Sequence, residues 1–330
     1  MSRYGDSELD ALAAGVRAGE RASLARAITL VEGRRDDQEA AAQRLLERLL
    51  PDAGGAARVG VSGVPGVGKS TFVEALGLRL VESGRRVGVL AVDPSSALSG
   101  GSIMGDKARM NRLAMHDAAY IRPSPSATTL GGVTRRTRET IVLLEAAGFD
   151  VVLVETVGVG QSEYAVRDLV DLFCVLALPG AGDELQGIKR GILEVCDVVA
   201  VNKCDGERVE AARRAATQLR TAFAAFGADP HDPPPPVLCV SALEGTGLDE
   251  LWAAVTERLD REREDGSLLA RRRGQSERWM DERVREELLR SFEQHPGVRA
   301  IAEQVRAEVR AGRLTPIQGA ARLLEAFGRD

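Results

Sequence analysis

Nine consecutive residues in the first quarter of the chain have the types and spacing of a phosphate-binding loop. The first eight, Gly63 to Ser70, read Gly-Val-Pro-Gly-Val-Gly-Lys-Ser and complete the pattern G-x-x-x-x-G-K-[ST]. Small residues let backbone N–H groups turn inward around phosphate oxygens, and the following helix adds the positive end of its dipole. Lys69 is placed to reach the β- and γ-phosphates, and Ser70 to ligate magnesium. The residues expected to bind the nucleotide here are Gly63, Val64, Pro65, Gly66, Val67, Gly68, Lys69, Ser70 and Thr71.

A second motif, Asn-Lys-Cys-Asp at 202–205, follows an apolar run and matches the guanine-recognition element of GTPases. The carboxylate of Asp205 can accept hydrogen bonds from the guanine N1–H and 2-amino group, a donor pair that adenine lacks. Alone, the tetrapeptide could be a polar turn, but it lies at the carboxyl end of a predicted strand, where open α/β sheets bind ligands. Ser-Ala-Leu at 241–243 matches the second base-contacting loop of GTPases. The residues expected at the base are Asn202, Lys203, Asp205, Ser241, Ala242 and Leu243.

Three carboxylates are candidates for a magnesium shell. Glu155 ends the apolar run 151–155, where most GTPases have Asp-x-x-Gly and this chain has Glu-x-x-Gly. A carboxylate there can hold magnesium directly or through water, and Gly158 can offer its backbone N–H to the γ-phosphate. Asp93 and Asp106 are candidates for the same shell or for the water near the γ-phosphate. A structural interpretation competes more strongly here than at Glu155, because Asp93 before Pro94 is an ordinary turn opener and Asp106 an ordinary helix N-cap. Magnesium usually keeps several waters, so not all three carboxylates need bind it.

Seven short apolar runs separated mostly by helical patterns predict the elements that position these residues. Strands that alternate with helices form βαβ units, so the pattern predicts an α/β fold with a mostly parallel sheet flanked by helices. Hydrophobic residues make up 44% of the chain and aromatic residues only 4%, which suits Val-, Leu- and Ala-rich strands covered on both faces. The predicted strands are 59–62, 87–92, 120–122, 151–155, 172–178, 198–202 and 237–241.

Three parts of the chain differ in pattern. Residues 1–52 are rich in Ala, Leu, Arg and Glu and predict two or three helices that end near Pro51. Residues 53–262 carry the predicted strands and the nucleotide motifs. Residues 263–330 read as helices with too few apolar residues per turn for a large core, which predicts an arm packed on the sheet domain or on another subunit.

Composition excludes several functional classes. The formal net charge is −5, without the basic field expected of a nucleic-acid-binding domain. The four cysteines lack zinc-like spacing and are predicted to be buried, reduced thiols. No apolar signal region or membrane-spanning stretch is present, so we expect a cytoplasmic protein without a membrane partner.

Five sequence strings together resemble the MeaB/MMAA/ArgK family of P-loop GTPases, over essentially the whole chain. They are the phosphate loop, the Asn-Lys-Cys-Asp motif, Val-Asp-Pro-Ser-Ser at 92–96, Gly-Gly-Ser-Ile-Met-Gly-Asp-Lys at 100–107 and Glu-Thr-Val-Gly-Val-Gly-Gln-Ser-Glu at 155–163. The last string is the most specific, because it separates this family from small Ras-like GTPases.

The resemblance implies a GTP-hydrolysing chaperone of an adenosylcobalamin-dependent acyl-CoA mutase, chiefly methylmalonyl-CoA mutase. It implies GTP or GDP and magnesium as ligands, slow intrinsic hydrolysis, and a homodimer held partly by a C-terminal helical dimerisation arm. It also implies a switch segment at 178–189 whose Lys189 approaches the nucleotide. The catalytic residues would be Lys69, Asp106, Glu155 and Lys189, and the magnesium shell would draw on Ser70, Asp93, Asp106 and Glu155.

Two other functions use similar motifs. A metal-insertion GTPase of the nickel-chaperone type would be expected to carry a His- or Cys-rich tract, whereas this chain has three single histidines. A kinase or transport ATPase, as some relatives are named, would need to accept adenine, which the Asn-Lys-Cys-Asp motif disfavours.

Overall fold

The computed structural model describes residues 4–33, 35–92, 110–123, 130–156, 162–179, 196–225 and 234–328. The chain divides into two compact units, Met1–Leu268 and Leu269–Asp330. The N-terminal helices therefore belong to the same unit as the sheet. The sequence divisions after residues 52 and 262 stay predictions.

A parallel sheet of seven strands, in the order β3-β2-β4-β1-β5-β6-β7, forms the centre of the first unit in the described part of the chain. The predicted α/β class and all seven predicted strands are confirmed. Four strands, β2, β4, β5 and β6, are buried at every position, as expected for strands covered on both faces. The strands are β1 (Ala57–Gly63), β2 (Val87–Val92), β3 (Ala119–Arg122), β4 (Val151–Thr156), β5 (Leu172–Ala177), β6 (Val198–Val201) and β7 (Val237–Cys239).

The last strand ends two residues earlier than the sequence predicted. The N–H of Val240 still donates to Val201 O at 2.9 Å, but that of Ser241 donates to Thr246 O at 2.9 Å. The chain therefore turns away from the sheet at Ser241, which leaves residues 241–243 as a loop at the carboxyl edge.

The described residues include twelve α-helices. Three of them precede β1, at the upper end of the predicted two or three. Arg21 of this N-terminal layer donates to Ala119 O at 2.7 Å, and Glu32 forms an ion pair with Arg122, so the layer is attached along β3. The helices are α1 (Asp6–Arg17), α2 (Arg21–Val31), α3 (Asp36–Leu49), α4 (Lys69–Glu82), α5 (Asn111–Ala114), α6 (Leu130–Ala146), α7 (Ser162–Arg167), α8 (Val209–Ala225), α9 (Leu248–Glu264), α10 (Ser267–Gln294), α11 (Pro296–Arg310) and α12 (Pro316–Phe327).

Aspartates placed directly before three strands fasten the amino edge of the sheet. Each accepts a hydrogen bond from a main-chain N–H at the start of a neighbouring strand. This bond satisfies a donor that is not paired within the β-sheet. The bonds are Arg86 N to Asp150 Oδ2 at 2.7 Å, Arg58 N to Asp171 Oδ2 at 2.8 Å and Phe173 N to Asp197 Oδ2 at 2.8 Å.

Ion pairs reinforce the same amino edge. Arg58 donates to both carboxylate oxygens of Glu145 at 2.8 Å, and the Glu145 side chain is fully buried. Arg258 reaches Asp197 at 2.9 Å. Because bidentate guanidinium–carboxylate pairs fix geometry as well as charge, this edge is held rigidly.

The second unit consists of helical segments that share a small aromatic contact. The Phe327 ring lies 5.5 Å from that of Phe292 and 5.2 Å from that of His295, both in edge-to-face geometry. Thr315 and Gln318 form a capping box that starts α12. No helix in the described ranges has the length and apolar character needed to cross a membrane.

Candidate functional site

The phosphate loop joins the central strand β1 to helix α4, the strand–loop–helix context that the motif requires. Two glycines make the loop geometry possible. Gly68 has a left-handed backbone with φ of 93°. A Cβ on Gly63 would lie 2.5 Å from Leu176 O of the neighbouring strand, which a real side chain could not tolerate. The loop is therefore specified by close backbone approach as well as by its turn.

Lys69 is the first residue of α4, and its ammonium group is held at the phosphate loop. Its Nζ donates to Gly63 O at 2.7 Å and contacts Val64 O at 3.4 Å. A half-buried cation thus lies within a loop of backbone groups at a helix N-terminus. Anion sites in proteins are built from such components, so the role of Lys69 at the phosphates stays a prediction that this geometry is compatible with.

Ser70 and Glu155 meet although they are 85 residues apart in the chain. Ser70 Oγ donates to Glu155 Oε1 at 2.8 Å, and Glu155 is only 3% exposed. They meet because β1 and β4 are neighbouring strands, with Val61 in register with Glu155. A hydroxyl and a carboxylate are hard oxygen ligands of the kind magnesium prefers, so this pair fits the predicted metal.

A hydroxyl pair below the phosphate loop was not singled out from the sequence. Thr156 Oγ1 donates to Ser62 Oγ at 3.0 Å, and both side chains are buried. The bond joins the end of β1 to the end of β4 and so supports the Ser70–Glu155 contact. The available signal was a polar residue at the end of each of two otherwise apolar runs.

Asn202 connects the phosphate loop to the proposed base-binding loop at 241–243. Its Nδ2 donates to Val67 O of the phosphate loop at 2.8 Å, and its Oδ1 accepts from Ala242 N at 3.1 Å. It is 1% exposed, so both bonds are shielded from water. The sequence assigned this residue to the base, and the structure adds that it joins the phosphate loop to the loop 241–243.

Lys203 and Asp205 flank the same connection. Lys203 Nζ donates to Gly66 O at 2.8 Å, and its backbone has a left-handed φ of 62°, which is uncommon for a non-glycine residue. Asp205 Oδ2 accepts from Ser241 Oγ at 2.6 Å. The Asn-Lys-Cys-Asp motif is thereby fixed to both neighbouring loops, with the Asp205 carboxylate only partly buried.

The motif also contains a thiol with an altered acidity. Burial raises the pKa of Cys204, and the electrostatic effect of the nearby Cys239 thiol raises it further. Cys204 N donates to Val240 O at 3.0 Å, so the two cysteines belong to adjoining segments.

Most of the predicted site residues are thus brought to one edge of the sheet. Ser241 and Ala242 are buried there, whereas the Leu243 side chain is 81% exposed. Four predicted residues lie outside the described residues: Asp93, Asp106, Gly158 and Lys189.

Comparisons with known proteins agree with this geometry. The family model described as methylmalonyl-CoA mutase-associated GTPase MeaB matches residues 24–297. A protein of Mycobacterium bovis named as a probable GTPase is 55% identical, over 98% of this chain and 96% of its own. The mouse protein named methylmalonic aciduria type A homolog, mitochondrial, is 45% identical, over 97% of this chain and 79% of its own.

Two further relatives cover nearly the whole chain. The GTPase ArgK of Escherichia coli is 44% identical over 94% of both chains. A crystal structure named LAO/AO transport system kinase superposes with a TM-score of 0.77 at 37% identity, over 98% of this chain and 99% of its own. With a family match over most of its length, the chain belongs to the MeaB family of GTPases.

Proposed function

We propose that this protein binds and hydrolyses GTP and acts in the cytoplasm as a chaperone of an adenosylcobalamin-dependent acyl-CoA mutase of the methylmalonyl-CoA mutase type. In this role it gates delivery of adenosylcobalamin to the mutase and protects or reactivates it. The observation that carries the nucleotide part is Asn202, whose side chain joins the phosphate loop to the loop 241–243. The choice of partner rests on membership of the MeaB family.

Guanine selection is assigned to Asp205. Its carboxylate lies beside the Asn202 connection and is oriented by Ser241 Oγ at 2.6 Å. A carboxylate fixed in this way pairs with the N1–H and 2-amino donors of guanine and leaves adenine without a partner. Sites of this kind reject an analogue that lacks the donors, because their polar groups would stay unpaired.

Phosphoryl transfer to water depends mostly on positioning and charge stabilisation. Lys69 and the loop amides would stabilise the β- and γ-phosphates, and Ser70 with Glu155 would hold magnesium. The bound ion would neutralise developing negative charge on the phosphate oxygens. Asp93, Asp106, Gly158 and Lys189 remain proposed members of this site. We expect slow intrinsic turnover that rises when the mutase or an ordered dimer completes the arrangement.

A homodimer is proposed on the basis of the second unit. Met280, Val284 and Leu288 follow each other at intervals of four along α10, and each is more than half exposed. Residues four apart share one helix face, so these three form an exposed apolar stripe. Burial against a second copy of the arm would remove this surface from water.

Steady-state GTP hydrolysis with and without a purified methylmalonyl-CoA mutase tests the proposal. We expect a low rate for the protein alone and a clear increase with saturating mutase. Lys69→Ala serves as the matched control. It should abolish hydrolysis both with and without the mutase, although the mutase is still present in the assay. A fast rate that ignores the mutase would contradict the chaperone role.

A further inference from the structure

Two of the four cysteines lie together beside the proposed guanine site. The Cys239 thiol is near enough to Cys204 to raise its pKa through electrostatic repulsion. Their main chains adjoin as well: Cys239 is in register with Val201 at the end of β6, and Cys204 N donates to Val240 O at 3.0 Å. Both are free thiols with partial exposure, so oxidants in solution can reach the pair.

The other two cysteines also neighbour each other, but both are buried. Cys174 is 1% exposed and Cys196 is 9% exposed. Burial raises the pKa of Cys196 to about 12 and that of Cys174 further, so neither forms an appreciable amount of thiolate at neutral pH. Because the thiolate is the reactive form, these two are structural residues.

We infer that Cys204 and Cys239 form a redox-sensitive site whose disulfide weakens guanine nucleotide binding. This inference rests on the proposed guanine site and adds a means of regulating it. The disulfide would connect the Asn-Lys-Cys-Asp loop covalently to the end of β7.

The geometry explains why a disulfide would disturb the site. A disulfide requires an S–S distance of about 2.05 Å, Cβ atoms about 3.5–4.5 Å apart and a dihedral angle of about 90°, so the more adjustable of the two segments would shift to meet this geometry. Cys239 is held in the sheet, whereas Cys204 lies in a loop after β6. The displaced loop would carry Lys203 and Asp205 with it, and the left-handed backbone of Lys203 leaves little freedom to absorb the movement.

The oxidant is hydrogen peroxide, which takes up two electrons overall. One thiol attacks the peroxide, the O–O bond breaks, and a sulfenic acid and one water form. The second thiol attacks the sulfenic sulfur, the S–S bond forms, and the S–O bond breaks with loss of a second water. The raised pKa of Cys204 keeps most of it protonated at neutral pH, so the reaction should be slow there and faster at alkaline pH.

The test compares the full-length protein after treatment with hydrogen peroxide and after treatment with dithiothreitol. Mass spectrometry of a non-reducing digest should detect a peptide pair linked through Cys204 and Cys239. Calorimetry should give a GDP affinity that is about tenfold or more weaker for the oxidised form, the loss expected when a hydrogen bond to a charged group is misplaced. Dithiothreitol should restore it.

Two variants control the experiment. Cys239→Ser should bind GDP like the reduced protein and keep that affinity after peroxide, whereas Cys196→Ala should still respond. Normal GDP binding by the reduced protein, combined with no linked peptide or an unchanged affinity after oxidation, would overturn this inference alone. Failure of the reduced protein to bind GDP would overturn the proposed guanine site and this inference with it.

Discussion

The two edges of the central sheet are built from different interactions. At the carboxyl edge, polar side chains bond to main-chain atoms of neighbouring loops, as Asn202 does to Val67 O and Lys203 to Gly66 O. At the amino edge, carboxylates cap strand starts and pair with arginines, as Glu145 does with Arg58. The carboxyl edge thus holds groups that a nucleotide can recruit, and the amino edge holds groups already fully engaged with one another.

This contrast separates stability from function. A change at the amino edge should lower the free energy of unfolding and leave nucleotide affinity alone. A change at the carboxyl edge should weaken nucleotide binding or hydrolysis and leave the free energy of unfolding nearly unchanged.

The largest effect is expected at the amino edge from Glu145→Ala. The change removes the acceptor of two bonds from Arg58 and of one from Gly54 N, and leaves a largely buried guanidinium unpaired. Breaking a buried pair in this way should lower the free energy of unfolding by about 3 to 5 kcal/mol, measured by urea denaturation. GDP affinity of the folded protein should not change.

A matched control exists at the surface. Glu210 pairs with Arg213 at 3.0 Å, and both side chains are about two-thirds exposed. Glu210→Ala should change the free energy of unfolding by at most about 0.5 kcal/mol. Equal losses of unfolding free energy in the two variants would contradict the claim that the amino edge contributes strongly to stability.

At the carboxyl edge, Lys69→Ala should lower the rate of GTP hydrolysis by about 100- to 1,000-fold in single-turnover measurements. The physical reason is the loss of the positive charge held at the loop carbonyls. The free energy of unfolding should change by less than about 1 kcal/mol. A large loss of stability without a loss of turnover would contradict the claim that this edge serves function rather than stability.

A smaller effect is expected from Asp205→Asn. The variant keeps an oxygen for the bond from Ser241 but no longer offers guanine two charged acceptors. GDP affinity should fall by about 10- to 100-fold in calorimetry, as for loss of a charged hydrogen bond. The thermal midpoint should stay close to that of the parent, and an unaltered GDP affinity would refute the assignment of the base site.

The smallest effect lies at neither edge, in the contact between α3 and α6. Burial raises the pKa of Glu139 above its ordinary value of 4.5, although Gln43 and Arg135 oppose the shift. The folded state therefore binds the proton more tightly than the unfolded state, and this contribution to stability is lost as pH rises through the folded pKa. Glu139→Gln does not titrate, so its stability relative to the parent should increase with pH across that window. Denaturation of both proteins at several pH values checks this, and a constant difference would contradict it.

The sequence was sufficient for local features of the fold and the site. The strand–loop–helix around Lys69 and the motif at 202–205 are continuous segments whose patterns carry their own structure. The family resemblance placed Ser70 and Glu155 in one magnesium shell, but the contacts of Asn202 with Val67 and Ala242 were not predictable, because they depend on the strand order β1-β5-β6-β7 and on loop geometry.

The same limit applied to the amino edge. An aspartate precedes three of the strands in the sequence, at Asp150, Asp171 and Asp197. Which main-chain N–H each one caps follows only from strand neighbours that are distant in the chain. Likewise, Cys204 and Cys239 are adjacent only because the segments after β6 and at the end of β7 adjoin.

The central claim is that Asp205 at the carboxyl edge selects guanine, and that Asn202 holds its loop beside the phosphate loop. Calorimetric titration of the magnesium-supplemented, full-length protein with GDP and, in parallel, with ADP tests it most directly. The account predicts saturable GDP binding and an ADP affinity weaker by about 100-fold or more. Comparable affinities for GDP and ADP would contradict it.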